Sequence, residues 1–280
     1  MMKNIFHQSS FNDIEPCRFY LGIDPTSTKL HIGHFYLLKV CENLVSQGFE
    51  MILLIGDKTA MIGDPTDKSK TRTILDKETI NNNIKIINNQ IPLFKYKIIF
   101  NSIFEHDIEL FKHFSVSNLL TNKTFNDRLE NKEGLSLLEF IYPVIQGLDF
   151  YYLRKEYDVK LQIGGQDQWF NMVTGLNFIK KEFNDCNIAT LPLIVTNKGE
   201  KIGKTINKVE MNAWETWQFF RNIKDEYVEP IYNSIGLCND DKNINNLKIE
   251  IANTMVTFIY SEQEAITCNE KANKLFKKVN

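Results

Sequence analysis

Apolar segments of strand length alternate with helix-length segments through most of the chain, and this alternation constrains the fold more than any other feature. RFYLGID (18–24), EMILLIG (50–56), YKIIFNS (96–102), VKLQIGG (159–165) and ATLPLIV (189–195) read as strands. Between the first two lies a helical face of Leu37, Leu38, Cys41, Leu44 and Val45, capped by Ser27 or Thr28 and ending at Gly48. An Asn-rich helix is expected around 76–90, mostly helical chain over 103–158, and another helix over 168–182. Strands that recur with helical crossovers pair in parallel through right-handed connections, so the spacing implies an α/β fold built on a parallel sheet. The strand pattern stops near residue 206, which divides the chain into a domain over 1–205, carrying a helical insertion at about 103–140, and a small α-helical domain over 206–280.

Composition narrows the function. With 280 residues, 43% of them hydrophobic, the chain can bury a full core. No apolar run approaches a membrane span, and MMKNIFHQSSF lacks the apolar stretch of a signal peptide, so the chain reads as cytoplasmic, with no membrane partner. Its five cysteines form no close pairs and suggest neither a disulfide framework nor a zinc site. A net charge of -2 gives no global basic field, so any contact with nucleic acid must be a local patch.

Two loops carry the chemistry. In "LGIDPTSTKLHIGHF" (21–35), His31 and His34 flank Gly33 at the mouth of the first helix. In a parallel α/β sheet that place offers free backbone N–H groups to phosphates, imidazoles can donate to phosphate or ribose oxygens, and Gly33 lets a flat base approach the backbone. No third ligand is spaced near the two histidines, which argues against a metal pair. In "KGEKIGKT" (198–205), Lys201 and Lys204 flank Ile-Gly, where two lysines can neutralise charge developing on departing pyrophosphate. A third group sits on one helix face: Tyr142, Gln146 and Asp149 in "YPVIQGLDF", at i, i+4 and i+7, among Val144, Ile145 and Leu148. Polar groups in such apolar surroundings need partners.

Together these motifs resemble class I aminoacyl-tRNA synthetases, whose paired motifs are HIGH, present here at 31–34, and KMSKS, to whose tyrosyl variant KIGKT is close. The helix face, "LQIGGQDQW" (161–169), "IGDPT" and "DKSKTR" resemble the tyrosyl-tRNA synthetases of bacteria in the same order, from about residue 18 to 276. The resemblance implies a Rossmann-like catalytic domain that activates L-tyrosine with ATP and passes it to tRNA(Tyr). It further implies that Tyr142, Gln146 and Asp64 hold the ammonium group, that Tyr20 and Asp149 hydrogen-bond the phenol, and that Gln162, Gly165, Asp167 and Gln168 hold tyrosine and the adenosine ribose. Gly22 and Asp24 join the ATP site; Thr26 and His31 meet the γ-phosphate, His34 lies nearer the ribose, and Lys68 and Arg72 meet pyrophosphate. Mg²⁺ is expected as the ATP complex, with no protein-bound metal. The sequence departs from the family at Asp57, Lys58, Leu148 and Gln166, so the resemblance does not fix the fine pocket geometry there. Tryptophanyl-tRNA synthetase shares the motifs, but an indole has one N–H donor and gives no reason for the pair of Tyr20 and Asp149. A non-catalytic RNA-binding paralogue would have lost the phosphate-handling residues, all of which are present.

The insertion raises a question of partners. Phe104, Leu110, Phe111, Phe114, Leu119, Leu120 and Phe125 are either ordinary core at helical spacing or, as the resemblance implies, part of a homodimer interface. The family's helical leader and its S4-like C-terminal domain are expected to be absent. The basic cluster Lys271, Lys274, Lys277 and Lys278 is then either a solvated helix end or a phosphate track. If it is a track, removing the four lysines flattens the salt dependence of tRNA binding by about two or three units of slope. An unchanged slope makes the cluster a helix end.

Overall fold

The computed structural model describes residues 5–66, 75–192, 194, 211–238 and 243–276. Its centre is a sheet of six strands, β1 (Gln8–Ser9), β2 (Arg18–Ile23), β3 (Glu50–Ile55), β4 (Tyr96–Phe100), β5 (Val159–Gly165) and β6 (Asn187–Leu191), in the order β1-β6-β5-β2-β3-β4. Five are parallel, β2 to β6. The first parallel strand, β2, lies between β3 and β5, so the chain runs outward to β4 on one side and then restarts on the other side with β5. This reversal makes the crevice beyond the carboxyl ends of β2 and β5 the natural ligand site. It also places Tyr20 beside Gln162 in register.

Alternation along the strands sends side chains to two cores. Phe19, Leu21 and Ile23 pack on one face with α1 (Ile32–Ser46) and α2 (Lys77–Asn88). The same cluster continues into α8 (Ala213–Arg221), α9 (Val228–Ser234), α10 (Ile244–Ile259) and α11 (Glu262–Phe276) through Trp217, Phe220, Ile231 and Met255. Tyr20, Ile52, Leu54 and Ile99 face the other way. There they meet α6 (Leu137–Tyr157) and α7 (Trp169–Ile179). The insertion supplies three short helices, α3 (Ile108–Phe111), α4 (Val116–Leu119) and α5 (Lys123–Glu130). A buried ion pair joins it to the start of α6: Arg128 Nη1 lies 3.1 Å from Glu139 Oε1, and the Arg128 guanidinium also donates to the Gly134 carbonyl. Glu139 is the third residue of α6 and closes a capping box with Ser136.

Several boundaries differ from the sequence reading. The first helix is capped by His31, not by Ser27 or Thr28. Gln90 holds residues 28–30 in a bend, accepting from the Leu30 N–H at 2.9 Å and donating to the Thr28 carbonyl at 2.7 Å, so the helix starts later. The last parallel strand begins at Asn187 and ends at Leu191, ahead of Pro192, which has no N–H for the ladder. The short strand β1 (Gln8–Ser9), antiparallel to β6, had no counterpart in the sequence reading. Phe104, Leu119 and Phe125 are buried within the chain, so the core reading holds for them. The proposed division near residue 206 lies outside the described residues.

Helix α6 is set by one close approach. A Cβ on Gly147 would sit 2.7 Å from the Gly175 Cα of α7, and the reverse contact is equally short. Alanine is the better helix former by about 1 kcal/mol, but backbone stands in its way here. Gly147→Ala should therefore lower stability by about 1–2 kcal/mol in urea denaturation, overpacking outweighing propensity. A stabilised variant would show that the two helices separate freely.

Candidate active site

The site is assembled where β2, β3 and β4 end and α6 passes over them. Asp24, just beyond β2, is the meeting point: Tyr142 Oη donates to its Oδ2 at 2.7 Å, and Thr59 Oγ1, beyond β3, donates to its Oδ1 at 2.7 Å. Asn101, beyond β4, donates through Nδ2 to Thr59 Oγ1 at 3.1 Å and to Asp149 Oδ2 at 2.9 Å. One hydrogen-bonded chain thus links three strand ends to both ends of the polar face of α6. Gly56 is obligatory in it, because a Cβ there would lie 1.9 Å from Asp24 Oδ1. Asp64 closes the side nearest β5, accepting from Gln168 Nε2 at 2.6 Å and from the Thr66 N–H at 2.9 Å.

Two polar atoms of this pocket are buried without a hydrogen-bond partner among the described residues: Tyr20 Oη and Gln146 Oε1. Buried polar groups in folded proteins are otherwise nearly always paired, so both atoms are left open to a partner from outside the described residues. Three carboxylates, Asp24, Asp64 and Asp149, surround the same space. Burial pushes Asp24 up to about 7, against the hydrogen bonds from Thr59 and Tyr142, and Asp64 and Asp149 add to the rise. Burial likewise raises Asp149 and carries the Tyr142 and Tyr20 phenols well above their ordinary range. A cation relieves such a cluster.

The opening of α1 explains the two histidines. Their rings stack with centroids 3.7 Å apart, and each Nδ1 accepts the other residue's backbone N–H, at 3.2 and 3.4 Å. Burial lowers His31 and lowers His34 further, with the neighbouring imidazole adding to the effect, so both are neutral at neutral pH. A neutral ring that accepts through Nδ1 carries its proton on Nε2. The pair therefore caps the helix with one nitrogen each and keeps two N–H donors for an anion. Gly33 lies against this pair, where a Cβ would come 3.1 Å from the His31 ring. Gly22 has open space over its Cα, with nothing within 4 Å of an added Cβ.

Tyr20, Asp24, Asp64, Tyr142, Asp149, Gln162 and Gln168 are brought together around the switch point, and Gln146 lies on α6 between Tyr142 and Asp149. Thr26 is exposed on the turn after Asp24, while Gly165 and Asp167 lie at the end of β5. Lys68, Arg72, Lys201 and Lys204 lie outside the described residues. Sequence reasoning passed over Gly56, Thr59, Asn101 and His106. The signal available for Gly56 and Asn101 was their position immediately after parallel strands.

A doubly wound sheet thus carries imidazole N–H donors at its first helix and a carboxylate-lined pocket at its switch point. The profile of the tRNA synthetases class I (W and Y) matches residues 12–216. Tyrosine–tRNA ligase 1 of Clostridium acetobutylicum is 34% identical over 292 residues, covering 94% of this chain and 71% of that one. Tyrosine–tRNA ligase of Pelagibacter ubique is 35% identical over 297 residues, with 96% and 73% covered. A C-terminally truncated mitochondrial tyrosyl-tRNA synthetase of Coccidioides posadasii has the same fold, with a TM-score of 0.75 at 22% identity over 96% of this chain and 89% of that one. The chain belongs to the class I tRNA synthetase family of tryptophan and tyrosine enzymes, on its tyrosine–tRNA ligase branch.

The state of Asp24 is testable by its linkage to stability. Its carboxyl rises from an ordinary 3.8 to about 7 on folding, so the folded protein takes up a proton between those values. The associated stability is complete below the unfolded value and is lost as pH rises through about 7. The thermal midpoint of Asp24→Asn, which does not titrate, should fall less than that of the parent between pH 5 and 8. Parallel pH profiles would show that Asp24 is ionised throughout.

Proposed function

We infer that the chain activates L-tyrosine with ATP and transfers the tyrosyl group to tRNA(Tyr). The observation that carries this reading is the pair of partnerless buried atoms, Tyr20 Oη and Gln146 Oε1, in a pocket lined by carboxylates. Tyr142 and Asp149 are seven residues apart on α6, roughly 10 Å along the axis at 1.5 Å per residue. That length suits an amino acid with an ammonium group at one end and a phenol at the other. Gln146 Oε1, with Tyr142 and Asp64, accepts the ammonium protons; Tyr20 and Asp149 take the phenolic hydroxyl. Tryptophan would leave one of that last pair unused, which argues for tyrosine over the related substrate.

In the first step the tyrosine carboxylate attacks the α-phosphate of ATP in line. The bond from the α-phosphorus to the bridging oxygen breaks, and pyrophosphate leaves. In the second a ribose hydroxyl of tRNA attacks the tyrosyl carbonyl and AMP leaves. No side chain becomes covalent; the protein positions the reactants and stabilises charge. The Nε2–H groups of His31 and His34 suit the phosphates and ribose, joined by Thr26. Gly22, Gly33, Gly165, Asp167, Gln162 and Gln168 complete the nucleotide and tyrosine sites, while Lys68, Arg72, Lys201 and Lys204 serve the leaving pyrophosphate. Mg²⁺ arrives as the ATP complex. The chain acts in the cytoplasm as a homodimer, a reading supported by Ile108 and Leu137, which are 80% and 74% exposed in and beside the insertion.

Tyrosine-dependent exchange between ATP and pyrophosphate, followed by charging of tRNA, tests the activity; exchange driven by tryptophan, or none, overturns it. Lys201→Ala and Lys204→Ala should depress the maximal exchange rate more than tyrosine affinity, because the charge they meet appears chiefly in the transition state. Loss of affinity at an unaltered rate would remove them from catalysis. Sedimentation at micromolar concentration should give twice the chain mass, and a monomer alone would end the dimer proposal.

A further inference from the structure

Asp149 is held from two sides by residues that precede α6. Its Oδ2 accepts from Asn101, and its Oδ1 lies 2.9 Å from His106 Nε2, with the two side chains only 3% and 8% exposed. The His106 ring is itself fixed. Tyr152, three residues beyond Asp149 on α6, stacks on it at 5.9 Å and 22°. The Tyr152 hydroxyl donates to the Glu105 carbonyl at 2.7 Å and accepts from the Asp107 N–H at 3.3 Å, clasping the backbone on both sides of His106. From the sheet side, Lys58 Nζ donates to the Phe104 carbonyl at 2.6 Å and Asp57 Oδ1 accepts from the Ser102 N–H at 3.0 Å. Asp57 and Lys58, two of the departures noted in the sequence, thus hold the segment that carries His106.

Each carboxylate oxygen has two acceptor positions. Asn101 and His106 use one on each oxygen and thereby fix the plane of the carboxylate. We propose that His106 is a positioning residue for substrate selection: with Asn101 it orients Asp149 and keeps it an acceptor for the phenolic hydroxyl of bound tyrosine. The proposal rests on the tyrosine reading of the pocket.

Burial works against this role, because it favours the protonated carboxyl, which would present a donor. The hydrogen bond and charge of His106 oppose that rise most, followed by the Asn101 bond and the charge of Lys58. The other groups coupled to Asp149 are Tyr20 on β2, Tyr142 on its own helix and Asp24 beyond β2, none of them a cation. Without His106, the Asn101 bond and the charge of Lys58 remain, among the described residues, to oppose the rise.

Pyrophosphate exchange with tyrosine and with phenylalanine, measured from pH 5.5 to 8.5, tests this in the full chain. In His106→Ala, KM for tyrosine should rise about tenfold, the loss of one charge-assisted hydrogen bond. The preference for tyrosine over phenylalanine should fall by a similar factor, kcat should change little, and the acidic limb of the tyrosine KM profile should move to higher pH. His106→Gln places an amide N–H near the position of Nε2 and should recover most of the preference. An unchanged tyrosine-to-phenylalanine ratio in His106→Ala overturns the proposal. So does an equal loss for both substrates in both variants, which marks a purely structural role. Absence of tyrosine-dependent exchange in the parent chain would instead remove the tyrosine reading itself.

Discussion

The half-buried carboxylate of Asp24 is the constraint on which the rest of the site depends. It lies just beyond β2, accepts from Tyr142 on α6 and from Thr59 beyond β3, and requires a glycine at position 56. A carboxylate placed there without both donors would pay the full cost of desolvation, so the three elements are held in one relative position. The close passage of α6 over α7 at Gly147 and Gly175 fixes the helix from the other side. Between these two restraints, the polar face of α6 cannot turn away from the sheet.

That placement explains the electrostatics of the pocket. Asp24 and Asp149 are both raised by burial, and the groups nearest them are hydrogen-bond donors more than cations. The space between is therefore preorganised for a positively charged ligand, while the Nε2–H groups of His31 and His34, at the mouth of α1, are preorganised for a negative one. In the proposed reaction an amino acid and a triphosphate meet from these two sides. Because the donors and acceptors are fixed before binding, little reorganisation is left for the reaction.

The helical tail stands apart from this chemistry while sharing its core. Trp217, Phe220 and Met255 belong to the same apolar cluster as Phe19 and Leu21 of β2. Lys271 lies 4.3 Å over the Trp214 ring, so part of the basic cluster packs on the protein's own surface, while Lys277 and Lys278 lie outside the described residues.

The sequence by itself determined the presence of the five parallel strands, the parallel sheet and the motifs that mark the family. Strand periodicity over 159–165 matches β5 end to end, because a fully buried parallel strand reads as a continuous apolar run bounded by turn residues. It also determined that Tyr142, Gln146 and Asp149 share one face, since 3.6 residues per turn leaves no other arrangement. Only the tertiary structure decided what those residues meet. Gln90 moved the start of α1 by holding residues 28–30 from sixty positions away. Thr59 and His106 have no local pattern that separates them from ordinary loop residues; with Asn101 they join the site because separate strand ends converge on one helix. Periodicity is a property of neighbouring residues along a chain, whereas the partner of a buried carboxylate is chosen by whatever the fold brings within 3 Å of it.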